Sequence, residues 1–183
     1  ISIMISVFLF SCSPNDEAEQ QALSAEDDNQ GISSVGRFSR LIGSESFTVI
    51  LDGIEVGQME VVHDDLTSVE FEFRSNGRGP TVTEIIEFSE DGYPETWEVS
   101  GATTFGNIID EEFQIDDGRA SWTDTTGTHD AEIGGTKLYV AQESSPYALW
   151  VYSRLLLAEE NHTLSVLPTG ELRLEEIETL EVN

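Results

Sequence analysis

Val69-Glu-Phe-Glu-Phe73 alternates apolar and acidic side chains, one after the other. In an extended chain this period of two places the apolar side chains on one face and the glutamates on the other. Phe47-Thr-Val-Ile-Leu51 begins the same pattern upstream. The period therefore predicts strands that are buried on one face, from Phe47 onward.

Turn signals separate these strand-like runs. In a tight hairpin, glycine accepts the positive φ that other residues resist. Strands joined by such short turns pair with their neighbours in antiparallel order. The sequence therefore predicts a mainly β fold, an antiparallel meander. The turns are Asp52-Gly53, Asp91-Gly92, Asp117-Gly118 and Thr169-Gly170.

One segment, residues 146–158, has helical spacing instead. Pro146 suits a first helical turn, and Ser144 or Ser145 can cap it. The segment is too short to span a bilayer, so we expect it to cover the concave side of a strongly bent, half-barrel-like sheet. Its predicted apolar face is Leu149, Tyr152, Leu155 and Leu156.

The amino-terminal residues differ in character from the rest. Residues 1–10 form an apolar run typical of the hydrophobic part of a secretory signal, although the basic residues that open such signals are missing. Leu9-Phe10-Ser11-Cys12 resembles a bacterial lipobox, in which the cysteine receives lipid before cleavage. These features predict a lipoprotein signal peptide at residues 1–11 and lipidation of Cys12.

Residues 12–44 are rich in Asp, Glu, Gln, Ser and Gly. Such a composition cannot bury enough apolar surface to offset ordering, so we interpret it as the lipidated cysteine and a flexible acidic tether. Residues 45–183 are expected to form a single β-rich domain. Asn15-Asp16-Glu17 resembles the acidic export tags of surface lipoproteins. The predicted location is extracytoplasmic, on a bacterial outer membrane or cell surface in preference to the inner membrane.

The chain has a formal net charge of -28, from 36 acidic and 8 basic residues. This charge argues against nucleic-acid binding, because phosphate contacts need clustered Lys and Arg. Asp-rich stretches such as Asp116-Asp117-Gly118 lack the ligand spacing of an EF-hand loop. We interpret the acidic residues as a solvated surface.

Catalytic and metal motifs are not recognised in the sequence. His63, His129 and His162 do not have the His-x-His or His-x-x-x-His spacing of metal ligands, and we expect them to face solvent. No serine lies in a Gly-x-Ser-x-Gly elbow, and Cys12 is the only cysteine. We predict no catalytic residue and no metal ligand in this chain.

Gly77-Arg78-Gly79-Pro80 places a cation in a flexible turn. One interpretation is a hairpin or bulge in which Arg78 pairs with a nearby carboxylate. The other makes Arg78 a contact for an anion or for a docked domain.

Several motifs along the chain carry a family resemblance. They are Asn76-Gly-Arg-Gly-Pro-Thr81, Gly92-Tyr-Pro-Glu-Thr-Trp97, Gly101-Ala-Thr-Thr-Phe-Gly106, Asp110-Glu-Glu-Phe113, Ala120-Ser-Trp122, Leu138-Tyr-Val140, Ser145-Pro146 and Leu167-Pro-Thr-Gly-Glu-Leu-Arg173. In this order the motifs resemble the β-rich N-terminal region of secreted bacterial metal-dependent amidohydrolases.

The resemblance implies a scaffold domain whose partner is its own catalytic barrel, beyond residue 183. The metal ion would belong to that barrel, where a metal-bound hydroxide attacks a carbonyl and the C–N bond is hydrolysed. This chain itself would need no cofactor.

A second hypothesis is a free-standing periplasmic carrier of a hydrophobic ligand. A bent sheet closed by a helix can enclose an apolar cavity. Core packing is the simpler interpretation of the aromatic residues that would line it, and an interaction module without a ligand is a third possibility. The predicted lining is Phe71, Phe73, Trp97, Phe113 and Trp122.

Overall fold

A computed structural model describes residues 42–135 and 138–177. The predicted signal peptide, Cys12 and nearly all of the predicted tether lie outside these residues. The strands of a large sheet are β1 (Gly43–Leu51), β2 (Ile54–His63), β3 (Thr67–Phe73), β4 (Thr81–Phe88), β5 (Pro94–Ala102), β6 (Ile108–Asp116), β7 (Arg119–Asp124) and β8 (Gly127–Glu132). The other elements are β9 (Leu138–Tyr139), α1 (Tyr147–Ala158), β10 (Thr163–Leu167) and β11 (Glu171–Arg173).

The large sheet is a meander in which each strand pairs antiparallel with the next, from β1 to β8. The predicted mainly β class and antiparallel meander are confirmed. In the described part of the chain β1 and β8 are both edge strands, so the sheet is not closed into a barrel. β1 already begins at Gly43, so residues 43 and 44 of the predicted tether belong to the sheet.

Tight turns connect the strands where the sequence predicts them. Asp52 and Gly53 have φ of 52° and 77°, and Asp117 and Gly118 have φ of 44° and 75°. Two consecutive positive φ values make a type I′ turn, whose twist matches that of the flanking strands. Asn76 and Gly77 form a third such turn, at 52° and 73°, and the flanking Ser75 and Arg78 form a bridge.

The two faces of the large sheet differ sharply. The inner face, which packs against α1, carries most of the hydrophobic core. The outer face carries exposed glutamates, and some of them stand directly opposite one another on neighbouring strands, as Glu60 does to Glu70 and Glu98 to Glu112. The outer face of the sheet, on the side away from α1, is thus strongly acidic.

The α1 helix packs on the inner face, as predicted, but not with the whole predicted set of residues. Leu149 is 67% exposed, so its assignment to the apolar face was wrong. The buried residues recur three or four positions apart, as Val151 and Leu155 do, and therefore share one side of the helix. Leu149 lies on the other side. Of the two serines, Ser145 accepts through its Oγ the hydrogen bond from the Tyr147 N–H, at 3.2 Å. The buried residues are Tyr147, Ala148, Val151, Tyr152, Leu155 and Leu156.

The small sheet pairs β10 antiparallel with β11 and parallel with β9. Because β9 immediately precedes the segment that leads into α1, this sheet fixes both ends of the covering layer. Leu138, Tyr139 and Leu167 are buried in the same core as the inner face of the large sheet.

Candidate functional site

Two glutamates lie on the inner face among apolar side chains. Glu84 on β4 is 0% exposed and Glu111 on β6 is 3% exposed. Both stand opposite Val99 of β5, one on each side, so they belong to one row across the sheet. A buried carboxylate is costly unless donors surround it, so the contacts of these two groups decide what they do.

Glu111 accepts hydrogen bonds from one side chain and two backbone groups. The Tyr139 hydroxyl donates to Oε1 at 2.6 Å. The Gln142 N–H is shared between Oε1 at 3.0 Å and Oε2 at 3.1 Å, and the Glu143 N–H donates to Oε2 at 3.1 Å. Both oxygens of Glu111 are therefore occupied by fixed donors.

Glu84 is held in the same way. The Trp97 indole Nε1–H donates to Oε2 at 2.9 Å, and the Ser145 N–H donates to Oε1. Burial raises the pKa of Glu84 above its ordinary value, the hydrogen bonds from Ser145 and Trp97 oppose this rise, and the nearby Glu111 adds to it. The described structure satisfies this carboxylate with neutral donors.

Together the two carboxylates bind the segment between β9 and α1 to the sheet. They accept from the amides of Gln142, Glu143 and Ser145, and the Tyr152 hydroxyl accepts from Ala141 N–H at 3.0 Å. Amides just before a helix have no helical partner and need acceptors when they are shielded from water. The glutamates thus position α1. Their lack of exposure and their occupied oxygens give them no access to a substrate.

Neither glutamate was predicted from the sequence. Acidic residues are so abundant in the chain that no single one stood out. The signal was nevertheless present in the period of two, because Val82, Glu84 and Ile86 share one face of β4, and β6 repeats this arrangement around Glu111. A glutamate on the apolar face of a predicted strand indicates a buried carboxylate.

The predicted cavity aromatics separate into two groups. Trp97, Phe113 and Trp122 stand next to one another in register on β5, β6 and β7, and all three are buried. Phe113 stacks on Tyr139 with ring centroids 4.4 Å apart, and Trp97 meets Tyr152 at 6.0 Å. These three rings are packed by the covering layer.

Phe71 and Phe73 are half-buried on β3, away from that aromatic row. Phe71 lines a cavity of about 180 Å³ together with Val82, Ile109 and residues 142–144. None of the other four predicted lining residues contributes to this cavity. The structure therefore does not bring the five aromatics together around one space.

The histidines are not all exposed, so the prediction that they face solvent was wrong for His63. His63 occupies an inner-face position at the end of β2, where it follows Met59 and Val61, and its Nδ1 is 3.1 Å from Thr67 Oγ1. His129 is half-exposed and stacks on Trp122, and His162 is exposed. Among residues 42–135 and 138–177 no group of three or more His, Cys, Asp and Glu is arranged to hold a metal ion.

Burial lowers the pKa of His63 below its ordinary value; Glu45 opposes this effect and Arg154 adds to it. The unfolded chain therefore binds a proton that the folded chain does not, and stability is lost as pH falls below about 6.5. We expect the His63→Gln variant to lose this component of the pH dependence. Urea unfolding between about pH 5.5 and 7.5 measures it. His162→Gln is the control and should keep the wild-type slope; identical slopes for wild type and His63→Gln would contradict the prediction.

Arg78 is exposed in the turn between β3 and β4. The turn geometry confirms the hairpin around Arg78. The pairing of Arg78 with a nearby carboxylate stays a prediction. Its assignment as an anion or docking contact stays a prediction.

No helix within the described ranges combines the length and the apolar character that crossing a bilayer requires. No protein family, no curated protein and no solved structure matches this chain.

Proposed function

We propose that this chain is a non-catalytic β-sheet scaffold, tethered to a bacterial membrane through lipid on Cys12. It would form the N-terminal part of an extracytoplasmic amidohydrolase whose catalytic barrel follows residue 183. The observation that supports the non-catalytic role is the hydrogen bonding of the Glu84 and Glu111 carboxylates. Their oxygens accept hydrogen bonds that hold the segment before α1, so they serve the fold.

The positions of the family-like motifs support the scaffold role. The stretch from Asn76 to Thr81 lies at the β3–β4 turn, and the motifs ending at Trp97, Phe113 and Trp122 supply neighbouring core residues. Turns and core rings determine shape, and a domain that supports another needs that shape rather than reactive groups.

Metabolic labelling with a fatty-acid analogue tests the anchor. We expect label on the wild-type protein and none on Cys12→Ala, because Cys12 is the only cysteine that can receive lipid. Ser11→Ala, which retains a small residue before the cysteine, is the matched control and should keep the label. Equal labelling of wild type and Cys12→Ala would end the lipoprotein proposal.

The gene tests the proposed catalytic partner separately. Extending the reading frame past residue 183 should reveal His-x-His and further metal-ligand motifs within a barrel of about 250 residues. A stop codon soon after residue 183 would remove the amidohydrolase part of the proposal and leave the anchor untouched.

The carrier remains the second candidate, because a cavity borders Phe71. Its volume of about 180 Å³ is below the roughly 300–1,000 Å³ of pockets that enclose small organic ligands. A carrier would therefore have to open further to bind an acyl chain. Mass spectrometry of protein purified from a lipid-containing extract should show a bound lipid if the chain is a carrier, and ligand-free protein would count against it.

A further inference from the structure

The α1 helix is apolar on almost every side, although only one side is covered. Leu149 is 67% exposed, Leu157 62% and Trp150 37%. At 100° per residue these three lie with Ser153 and Arg154 in an arc of about 140°. We call these five residues the outward arc. A helix that is apolar all round is normally buried on all sides, so the outward arc is a surface without a cover in the described structure.

The charge of α1 also differs from that of its surroundings. The chain has 36 acidic residues, yet none lies within Tyr147–Ala158, and Arg154 is its one charged residue. The guanidinium carbon of Arg154 lies 4.3 Å above the Trp150 ring. Leucines next to an Arg and a Trp are typical of a helix that lies in the headgroup layer of a membrane, where Trp and Arg place apolar parts inward and polar ends outward.

The predicted tether, residues 12–44, ends beside this arc. Gly43, where β1 starts, is paired with His63, whose ring lies 6.4 Å from that of Trp150. If residues 13–42 form the predicted flexible tether, their 30 residues would reach about 30 Å. Lipid on Cys12 would therefore hold the domain close to the bilayer, where even a small apolar surface is effective because its local concentration is high.

The distribution of acidic residues favours one orientation of the domain at the bilayer. The outward arc points away from the sheet, whereas exposed glutamates such as Glu98 and Glu112 lie on the outer face of that sheet. With the arc toward lipid, this acidic face points to solvent. Glu159 and Glu160 directly follow α1, so a zwitterionic surface fits better than an anionic one.

We propose that the outward arc of α1 lies in the headgroup layer of the bilayer that the Cys12 lipid anchors. This proposal rests on the proposed tether. It makes the domain a membrane-oriented scaffold with a fixed face toward lipid.

The tryptophans provide the test. Trp97 and Trp122 are buried, so Trp150 is the indole that brominated lipid can reach. Chain 12–183, which contains every described element, is coupled through its Cys12 thiol to a maleimide lipid in phosphatidylcholine vesicles. We expect brominated phosphatidylcholine to remove the Trp150 part of the emission, and Trp150→Phe to show no quenching. Equal wild-type emission in brominated and ordinary vesicles would overturn the proposal.

A matched pair of variants tests the arc itself. Leu149→Ser with Leu157→Ser should abolish the quenching, whereas Ile50→Ser with Ile54→Ser, exposed at the β1–β2 turn, should leave it unchanged. Wild-type urea midpoints for both pairs would show that the fold is intact. Quenching that survives in the leucine pair overturns the proposal. So does a lipid-free dimer with Trp150 already shielded, which would make a second copy the occupant.

Chemical coupling supplies the anchor in this experiment. Its outcome is therefore independent of whether cells attach lipid to Cys12. If cells attach no label to Cys12 but the coupled protein is quenched, only the natural anchor is rejected. If cells label Cys12 but the coupled protein is not quenched, only the docking of α1 is rejected.

Discussion

Replacing Glu111 with alanine is expected to lower the free energy of unfolding by about 3–5 kcal/mol. The change removes the acceptor of the Tyr139 hydroxyl and of the amides of Gln142 and Glu143. The buried Tyr139 hydroxyl loses its acceptor, which costs about 1–3 kcal/mol, and the lost bonds of the part-buried Gln142 and Glu143 amides add to this. Urea unfolding followed by tryptophan fluorescence and by helical circular dichroism measures the loss.

Glu112 provides the matched control. It is the next residue of β6, but it lies exposed on the outer face opposite Glu98. Alanine at 112 removes a like-charge neighbour and should change stability by no more than about 0.5 kcal/mol. If both variants changed stability by the same small amount, Glu111 would have no role in holding the segment before α1.

Trp97→Ala is expected to lower the free energy of unfolding by about 3–5 kcal/mol, because the indole is fully buried and its removal leaves a large cavity. Trp97→Phe keeps much of the ring volume and removes the N–H that Glu84 accepts. Its cost should be smaller, about 1–2 kcal/mol. Urea midpoints of the two variants separate the packing of this ring from its hydrogen bond.

Phe105→Ala is a suitable control for this series, since Phe105 is exposed in the loop between β5 and β6. It should leave the unfolding midpoint nearly unchanged. The comparison also bears on the carrier hypothesis. A tryptophan that lined an open ligand cavity would tolerate truncation, so a small effect of Trp97→Ala would reject the core assignment and favour the carrier.

Part of the candidate site was predictable and part was not. The sequence predicts Trp97, Phe113 and Trp122 as part of a five-residue aromatic lining, and the register brings these three together. Their packing under Tyr139 and Tyr152 was not predictable, because the rings that cover them come from a later part of the chain. The sequence therefore indicated the aromatic row but not whether it encloses a space.

Glu84 and His63 show a second limit. The Ser145 amide, which donates a hydrogen bond to Glu84, is 61 residues away in the chain. His63 ends a strand next to turn residues, which suggested exposure, but Tyr147 of α1 packs beside it with ring centroids 6.1 Å apart. A local pattern can place a polar group on the apolar face of a strand, but it does not contain the groups that cover it or bond to it.

By itself, the sequence determined the strand class, the meander and the hairpins. Alternation in Val69-Glu-Phe-Glu-Phe73 assigns side chains to faces, and Asp-Gly pairs accept positive φ, so both signals act between neighbouring residues. Tertiary structure alone decided which donors satisfy the buried carboxylates and which side of α1 is covered. Leu149 and Leu155 are chemically identical, yet one is exposed and the other buried. The difference arises because packing against a distant sheet, rather than hydrophobicity, selects the side that leaves water.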